Sequence, residues 1–194
     1  CAVPVADIHA DAAAGEHPID QLIFGEAFDV LDTRGDQVWG RARRDGVVGW
    51  VMLSTLGDGV PLATHRIGTT DDRLPLNALL VEAGDPAGLT PVGSFAAQPV
   101  EVAERLMGTP YMLGGRSSLG TDCCGLVQQA LYACGRAAPR YADQQAELGV
   151  PVAAGEARRG DLVIWLDPEE GPWNGHAGFM LDGGRVLHAV GRLG

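Results

Sequence analysis

The stretch that most limits what this chain can fold into lies between Tyr111 and Gly135. Glycines at 114, 115 and 120 lead into Asp122, the adjacent thiols Cys123 and Cys124, and Gly125. Leu126, Val127, Ala130, Leu131 and Cys134 then recur at the spacing of one helical face, and Gly135 follows as a stop. The pattern predicts a helix beginning near Asp122 with Cys123 in its first turn. Unpaired backbone N–H groups and the positive end of the helix dipole favour a thiolate there. A nucleophilic cysteine would be built at such a place, and the rest of the chain has to supply its partners.

Composition sets the outer bounds. The 194 residues are 46% hydrophobic and 20% charged, with 28 glycines and 12 prolines, which suits one or two small globular domains. No apolar run approaches the roughly 18 residues of a membrane span. The net charge is −11 and all 14 basic residues are arginines, with no basic cluster, so a nucleic-acid partner is not expected. Four cysteines (1, 123, 124, 134) form no spaced disulfide framework. Cys123 and Cys134 are separated by about 16 Å of helical rise. The thiols are read as reduced. The first residues show neither a basic n-region nor an apolar h-region, and Cys1 is readable as a processed lipoprotein start or a fragment start.

Along the chain, residues 1–62 read as short strands: Gln21–Phe24, Ala27–Leu31, Val38–Arg43 and Val47–Val51. The last two are joined through Asp45-Gly46, a hairpin signal, and such even spacing predicts a small β-barrel. Residues 63–98 hold breakers such as Gly84-Asp85-Pro86 around one apolar run, Ala78–Val81, and read as a linker or a reduced second unit. A helix is expected from Pro99 to Met107, with proline at a first helical position. After the central helix come one or two turns at Asp143–Leu148. Strands Asp161–Leu166, His176–Leu181 and Arg185–Val190 close the chain, the last two joined by Asp182-Gly183-Gly184. Helices first and an antiparallel sheet second describe an α+β domain over residues 99–194.

A cysteine at a helix start followed by histidines on strands is the layout of papain-like peptidases. The hairpin supplies a geometric condition. With a three-residue loop, Leu181 pairs with Arg185, Gly178 lies opposite His188, and His176 and His188 share a face about 7–8 Å apart. With a two-residue loop they fall on opposite faces. Only the odd loop lets His188 orient the His176 ring.

Thr109-Pro110-Tyr111, Gly114-Gly115, Asp122-Cys123-Cys124-Gly125-Leu126-Val127, Arg159-Gly160-Asp161, His176-Ala177-Gly178 and Leu187-His188-Ala189 together resemble the NlpC/P60 family. Gly25-Glu26 and Asp45-Gly46-Val47-Val48-Gly49-Trp50-Val51 resemble a bacterial SH3 (SH3b) domain. The resemblance implies an SH3-like barrel ahead of a papain-like cysteine peptidase domain, acting on peptidoglycan stem peptides without cofactor or metal. It assigns Cys123 as nucleophile, His176 as base and His188 as the orienting residue. Tyr111 would line the cleft, and Asp122 would help hold a free L-Ala amine in L-Ala-γ-D-Glu-diamino acid substrates. Glu26 is a second candidate for that amine. Leu113 stands where an aromatic is common, Cys124 and Ala142 where serines are common, and the chain stops six residues after His188.

Other readings stand beside these. Cys123, Cys124, His176 and His188 could bind zinc, but adjacent cysteines lack the usual spacing. A non-catalytic wall-binding protein is a further alternative. Arg116 and Arg140 are candidates for substrate carboxylates or, by default, exposed and solvated. Trp39 and Trp50 read as barrel packing, and Trp173 as a cleft-flanking side chain. A free-amine-dependent enzyme fits the cytoplasm, whereas SH3b and a lipoprotein Cys1 fit the envelope.

Overall fold

A computed structural model describes residues 1–13, 15, 17–69, 73–81, 88–166 and 175–191. Trp173 and the breakers at 84–86 lie outside the described residues.

Among its described residues the N-terminal unit has five strands. β1 (Val5–Ile8) pairs antiparallel with β2 (Asp20–Ile23), and β3 (Phe28–Arg34), β4 (Gln37–Ala42) and β5 (Val48–Met52) form a meander. Gly35, at φ 62°, supplies the first position of the two-residue β3–β4 loop, a conformation L-residues avoid. Alternate residues of β4 and β5 point inward, so Val38, Ala42 and Val51 meet Ala6, Ile8 and Leu22 in one small core. β1 joins the meander through His9 and Trp50, which exchange both backbone hydrogen bonds at 2.9 and 2.7 Å. The strands expected of an SH3-like unit are present, together with β1, whose four residues carried no turn signals to mark them. Among the described residues they form two sheets joined at one bridge, without a closed hydrogen-bonded ladder.

The described residues of the middle segment include a three-stranded sheet. β6 (His65–Ile67) lies between β7 (Leu79–Leu80) and β8 (Leu89–Pro91). Arg66 and Asn77 tie it to the central helix. Arg66 donates to the carbonyl of Ala133 at 3.1 Å, satisfying one of the acceptors a helix end leaves open. Asn77 donates to the carbonyl and side chain of Gln129 at 2.9 and 2.8 Å.

The C-terminal unit is built around one helix. α1 (Pro99–Arg105) starts on its proline and packs against α2 (Cys123–Ala133). Every residue of α2 is buried, as expected of a helix covered on all sides. A two-stranded ribbon, β9 (Arg116–Ser117) and β10 (Gly120–Thr121), precedes it, and the short helix α3 (Ala142–Gln145) follows. β11 (Leu162–Trp165), β12 (His176–Met180) and β13 (Val186–Leu187) form an antiparallel sheet with β12 central, laid on α2. Ala177 and Phe179 of β12 meet Val127, Ala130 and Leu131 of α2 in a second, larger core. The result is helices packed on an antiparallel sheet. No helix among the described residues is long and apolar enough to cross a membrane.

Candidate active site

Cys123 is the first residue of α2, and Asp122 is its N-cap, accepting from the Gly125 backbone N–H at 2.8 Å. The same carboxylate accepts from the Gly114 N–H at 3.0 Å, holding the Gly-rich loop against the helix start. Arg140 completes its shell with two parallel bonds, at 3.0 and 2.5 Å. Four donors on two oxygens fill the acceptor positions of a carboxylate. Asp122 therefore fixes three chain segments at once: the loop, the helix and the bend before α3.

The hairpin takes the odd-numbered loop. Phe179 pairs with Leu187, Met180 with Val186, and the Leu181 N–H donates to Arg185 at 2.7 Å. His176 and His188 consequently meet on one face, with His176 Nε2 2.5 Å from His188 Nδ1 and ring centroids 4.8 Å apart, edge to face. Trp165, paired with His176 across β11 and β12, covers both rings at 5.4 and 6.0 Å. Sequence reading passed over Trp165. Its signal was the period-2 alternation of β11, which places it opposite His176 once the register is known.

Cys123, His176, Tyr111 and Asp122 line one cleft of about 540 Å³, with Cys124, Leu113, Arg140 and Ala142. His188 reaches that cleft only through His176. His17, Pro18 and Ile19 of the N-terminal unit form an opposite wall, and no motif in the sequence pointed to them. The contact is intimate. Gly114, at φ 80°, lies so close to Pro18 that a Cβ would sit 1.9 Å from its carbonyl oxygen.

The electrostatics separate the two thiols. The Cys124 thiol, and then the backbone N–H groups of Ala177 and Cys124, hold Cys123 below the ordinary thiol range against burial and Asp122. Hydrogen bonding to Cys123, burial and the negative charge beside it push Cys124 up. His176 is lowered by burial and by His188, with Asp122 opposing. Burial also raises Tyr111, which stays a neutral phenol at the rim.

Three expectations need correction. Arg116 and Arg140 are buried, not solvated, and neither has a free fork for a substrate carboxylate. Arg116 lies between the two units, donating to Asp20 at 3.1 Å, to Glu26 at 3.2 and 2.6 Å, and to the carbonyl of Gln21. Glu26 is spent on this contact and on Arg44 at 2.9 Å, and it does not line the cleft, so it cannot anchor a substrate amine. The arginines looked solvated because sequence alone does not show which carboxylates will be buried beside them. Among the described residues, no group of three or more His, Cys, Asp or Glu side chains is arranged to hold a metal ion.

Comparison with known proteins places this geometry. Residues 108–193 match the NlpC/P60 family, and residues 8–56 match the bacterial dipeptidyl-peptidase SH3 domain. A gamma-D-glutamyl-L-lysine dipeptidyl-peptidase of Bacillus subtilis is 29% identical over 109 residues, 56% of this chain and 37% of the relative. The peptidoglycan endopeptidase RipB of Mycobacterium tuberculosis is 32% identical over 147 residues, 61% of this chain and 59% of the relative. The chain thus spans less than two thirds of the length of either. A crystal structure of an NlpC/P60 family protein from Bacillus cereus superposes over 96% of this chain and 88% of its own, with a TM-score of 0.76 at 18% identity, a likeness of fold.

Proposed function

We propose that this chain, which carries an NlpC/P60 domain behind a bacterial SH3 domain, is a cysteine peptidase acting on peptidoglycan stem peptides. The bond is the γ-D-glutamyl link to the diamino acid, in peptides with a free N-terminal L-Ala. One observation carries the reading: a cysteine at the N-terminus of a buried helix shares a cleft with a histidine whose far nitrogen is held by a second histidine. The relatives' names, gamma-D-glutamyl-L-lysine dipeptidyl-peptidase and peptidoglycan endopeptidase, support the substrate class.

In this mechanism the Cys123 thiolate attacks the γ-carbonyl carbon of D-Glu. The charge that develops on the carbonyl oxygen meets backbone N–H groups of the first turn of α2, which have no intrahelical acceptor. His176, carrying the proton that Cys123 gave up, passes it to the departing amine and then takes one from the water that hydrolyses the thioester. His188 holds the His176 ring, and Trp165 packs beside both rings. Tyr111 borders the substrate. Asp122, whose oxygens are taken by Arg140 and two backbone N–H groups, lines the cleft and draws the L-Ala amine by its charge, without an open hydrogen-bond position to offer. The 17–19 wall closes the cleft on the side where a longer, glycan-linked chain would extend.

The test is digestion of L-Ala-γ-D-Glu-meso-diaminopimelate and its L-lysine counterpart, each free and N-acetylated, followed by mass spectrometry with Cys123→Ala as control. Cleavage of the free-amine peptides alone, lost in the variant, is the expected result. Cleavage of both forms keeps the peptidase and removes the amine role of Asp122. No cleavage of any peptide, with binding retained, would identify a wall-peptide binding module instead.

A further inference from the structure

Cys124 is not a reacting group in the hydrolysis described above, yet its Sγ lies 3.8 Å from that of Cys123. Both side chains border the cleft, so a small oxidant that enters it meets two thiols together. The other two cysteines are placed apart: Cys134 is at the far end of α2, and Cys1 packs on the N-terminal core.

We propose that Cys123 and Cys124 form a peroxide-responsive modification site, in which oxidised Cys123 is captured by Cys124 as a reversible vicinal disulfide. The inference rests on Cys123 being the reactive thiol of the reading above. The Cys123 thiolate attacks one oxygen of hydrogen peroxide, the O–O bond breaks, and Cys123 sulfenic acid and hydroxide result. The Cys124 sulfur then attacks the sulfenic sulfur. The S–S bond forms as the S–O bond breaks, and the thiol proton leaves with the hydroxyl group as water. Two electrons pass from the thiol pair to the peroxide.

The position in the helix makes the ring feasible. Neighbouring Cα atoms are about 3.8 Å apart, short of the ~4.4–6.8 Å usual for disulfides. The ring is therefore strained and opens readily to a thiol reductant. In mid-helix the backbone twist it needs would break intrahelical bonds. In the first turn, the N–H groups of Cys123 and Cys124 have no such bonds to lose. The lowered thiol at Cys123 agrees with its being the sulfur that attacks peroxide and is oxidised first.

The experiment is a peroxide titration of the full chain bearing Cys1→Ser and Cys134→Ser, with mass mapping of tryptic peptide 117–136. The expected product is lighter by two hydrogens and returns to its starting mass with dithiothreitol. In a Cys124→Ser version, the same peptide passes through a dimedone-trappable sulfenic acid to a form heavier by two oxygens that dithiothreitol does not restore. Direct passage of the intact pair to the two-oxygen product, with no disulfide, overturns the proposal, whether or not Cys124→Ser folds. Because mass is the readout, a chain that forms the disulfide but cuts no peptide overturns only the peptidase reading.

Discussion

At Cys123 several influences act on one sulfur. The helix start and the neighbouring donors favour the anion, while burial and Asp122 oppose it. His176 → Ala should lower kcat by about 10²–10⁴, the usual contribution of a positioned acid–base group. His188→Ala should cost less, chiefly in kcat, because it holds a ring and does not touch substrate. It has a second signature. His188 helps keep His176 below the usual imidazole range, so its removal should move the His176-linked limb of the kcat/KM profile to higher pH. An unmoved limb would leave His188 with packing alone. The notable residues here are short-range: the Asp-Cys pair, the two histidines and the tyrosine were all legible in the sequence because each sits in a local motif. Trp165 and the 17–19 wall were not, since they act only across paired strands and across units.

At the scale of elements, α2 depends on its cap. Asp122→Ala removes the Gly125 and Gly114 bonds and leaves Arg140 buried with Asp20 as its one remaining carboxylate partner among the described residues. Loss of a cap costs about 0.5–2 kcal/mol, and breaking one partner of a buried ion pair about 3–5 kcal/mol. The second figure dominates, so a fall in stability of several kcal/mol in denaturant titration is expected. A fall of less than about 1 kcal/mol would mean that Arg140 finds water or another partner. The hairpin from β12 to β13 is the other decisive element. Its three-residue loop sets the parity that brings His188 to His176, and inserting one residue after Gly183 should flip His188 to the other face. The insertion should abolish peptide cleavage while leaving the helical circular dichroism signal intact.

For the whole molecule, the junction of the two units is charged and buried. Asp20, Glu26 and Asp45 surround Arg116, and Asp20 also reaches Arg140 at 3.0 Å, linking the N-terminal unit to the cap of α2. Burial pushes Asp20 up to about 7 against its arginines, and its Oδ2 has no partner among the described residues. A folded-state pKa raised above the unfolded value contributes stability that is complete below about pH 4 and lost as pH rises through 7. Glu26 carries the opposite sign: although burial opposes, Arg116 and Arg44 hold it below the usual carboxylate range, and its contribution is lost on acidification. Asp20→Asn should therefore flatten the fall in Tm between pH 5 and pH 8, and an unchanged slope would assign that fall to other groups. Gly114→Ala, strained at positive φ and driven into Pro18, should loosen the units against each other, raising KM more than it lowers kcat.

The sequence by itself determined four of the five described strands of the N-terminal unit, the three helical segments, the closing sheet and the motif residues brought together at the cleft. These follow from periodicity, caps and turn chemistry that act within a few residues. Tertiary structure decided what the arginines do. Arg116 and Arg140 read as surface charges until the fold brings Asp20, Glu26 and Asp122 around them. Their burial is fixed by carboxylates that lie 18 to 96 positions away, beyond the reach of any local pattern. The same holds for the cleft: one of its walls belongs to each unit, and only packing Pro18 onto Gly114 brings the two together.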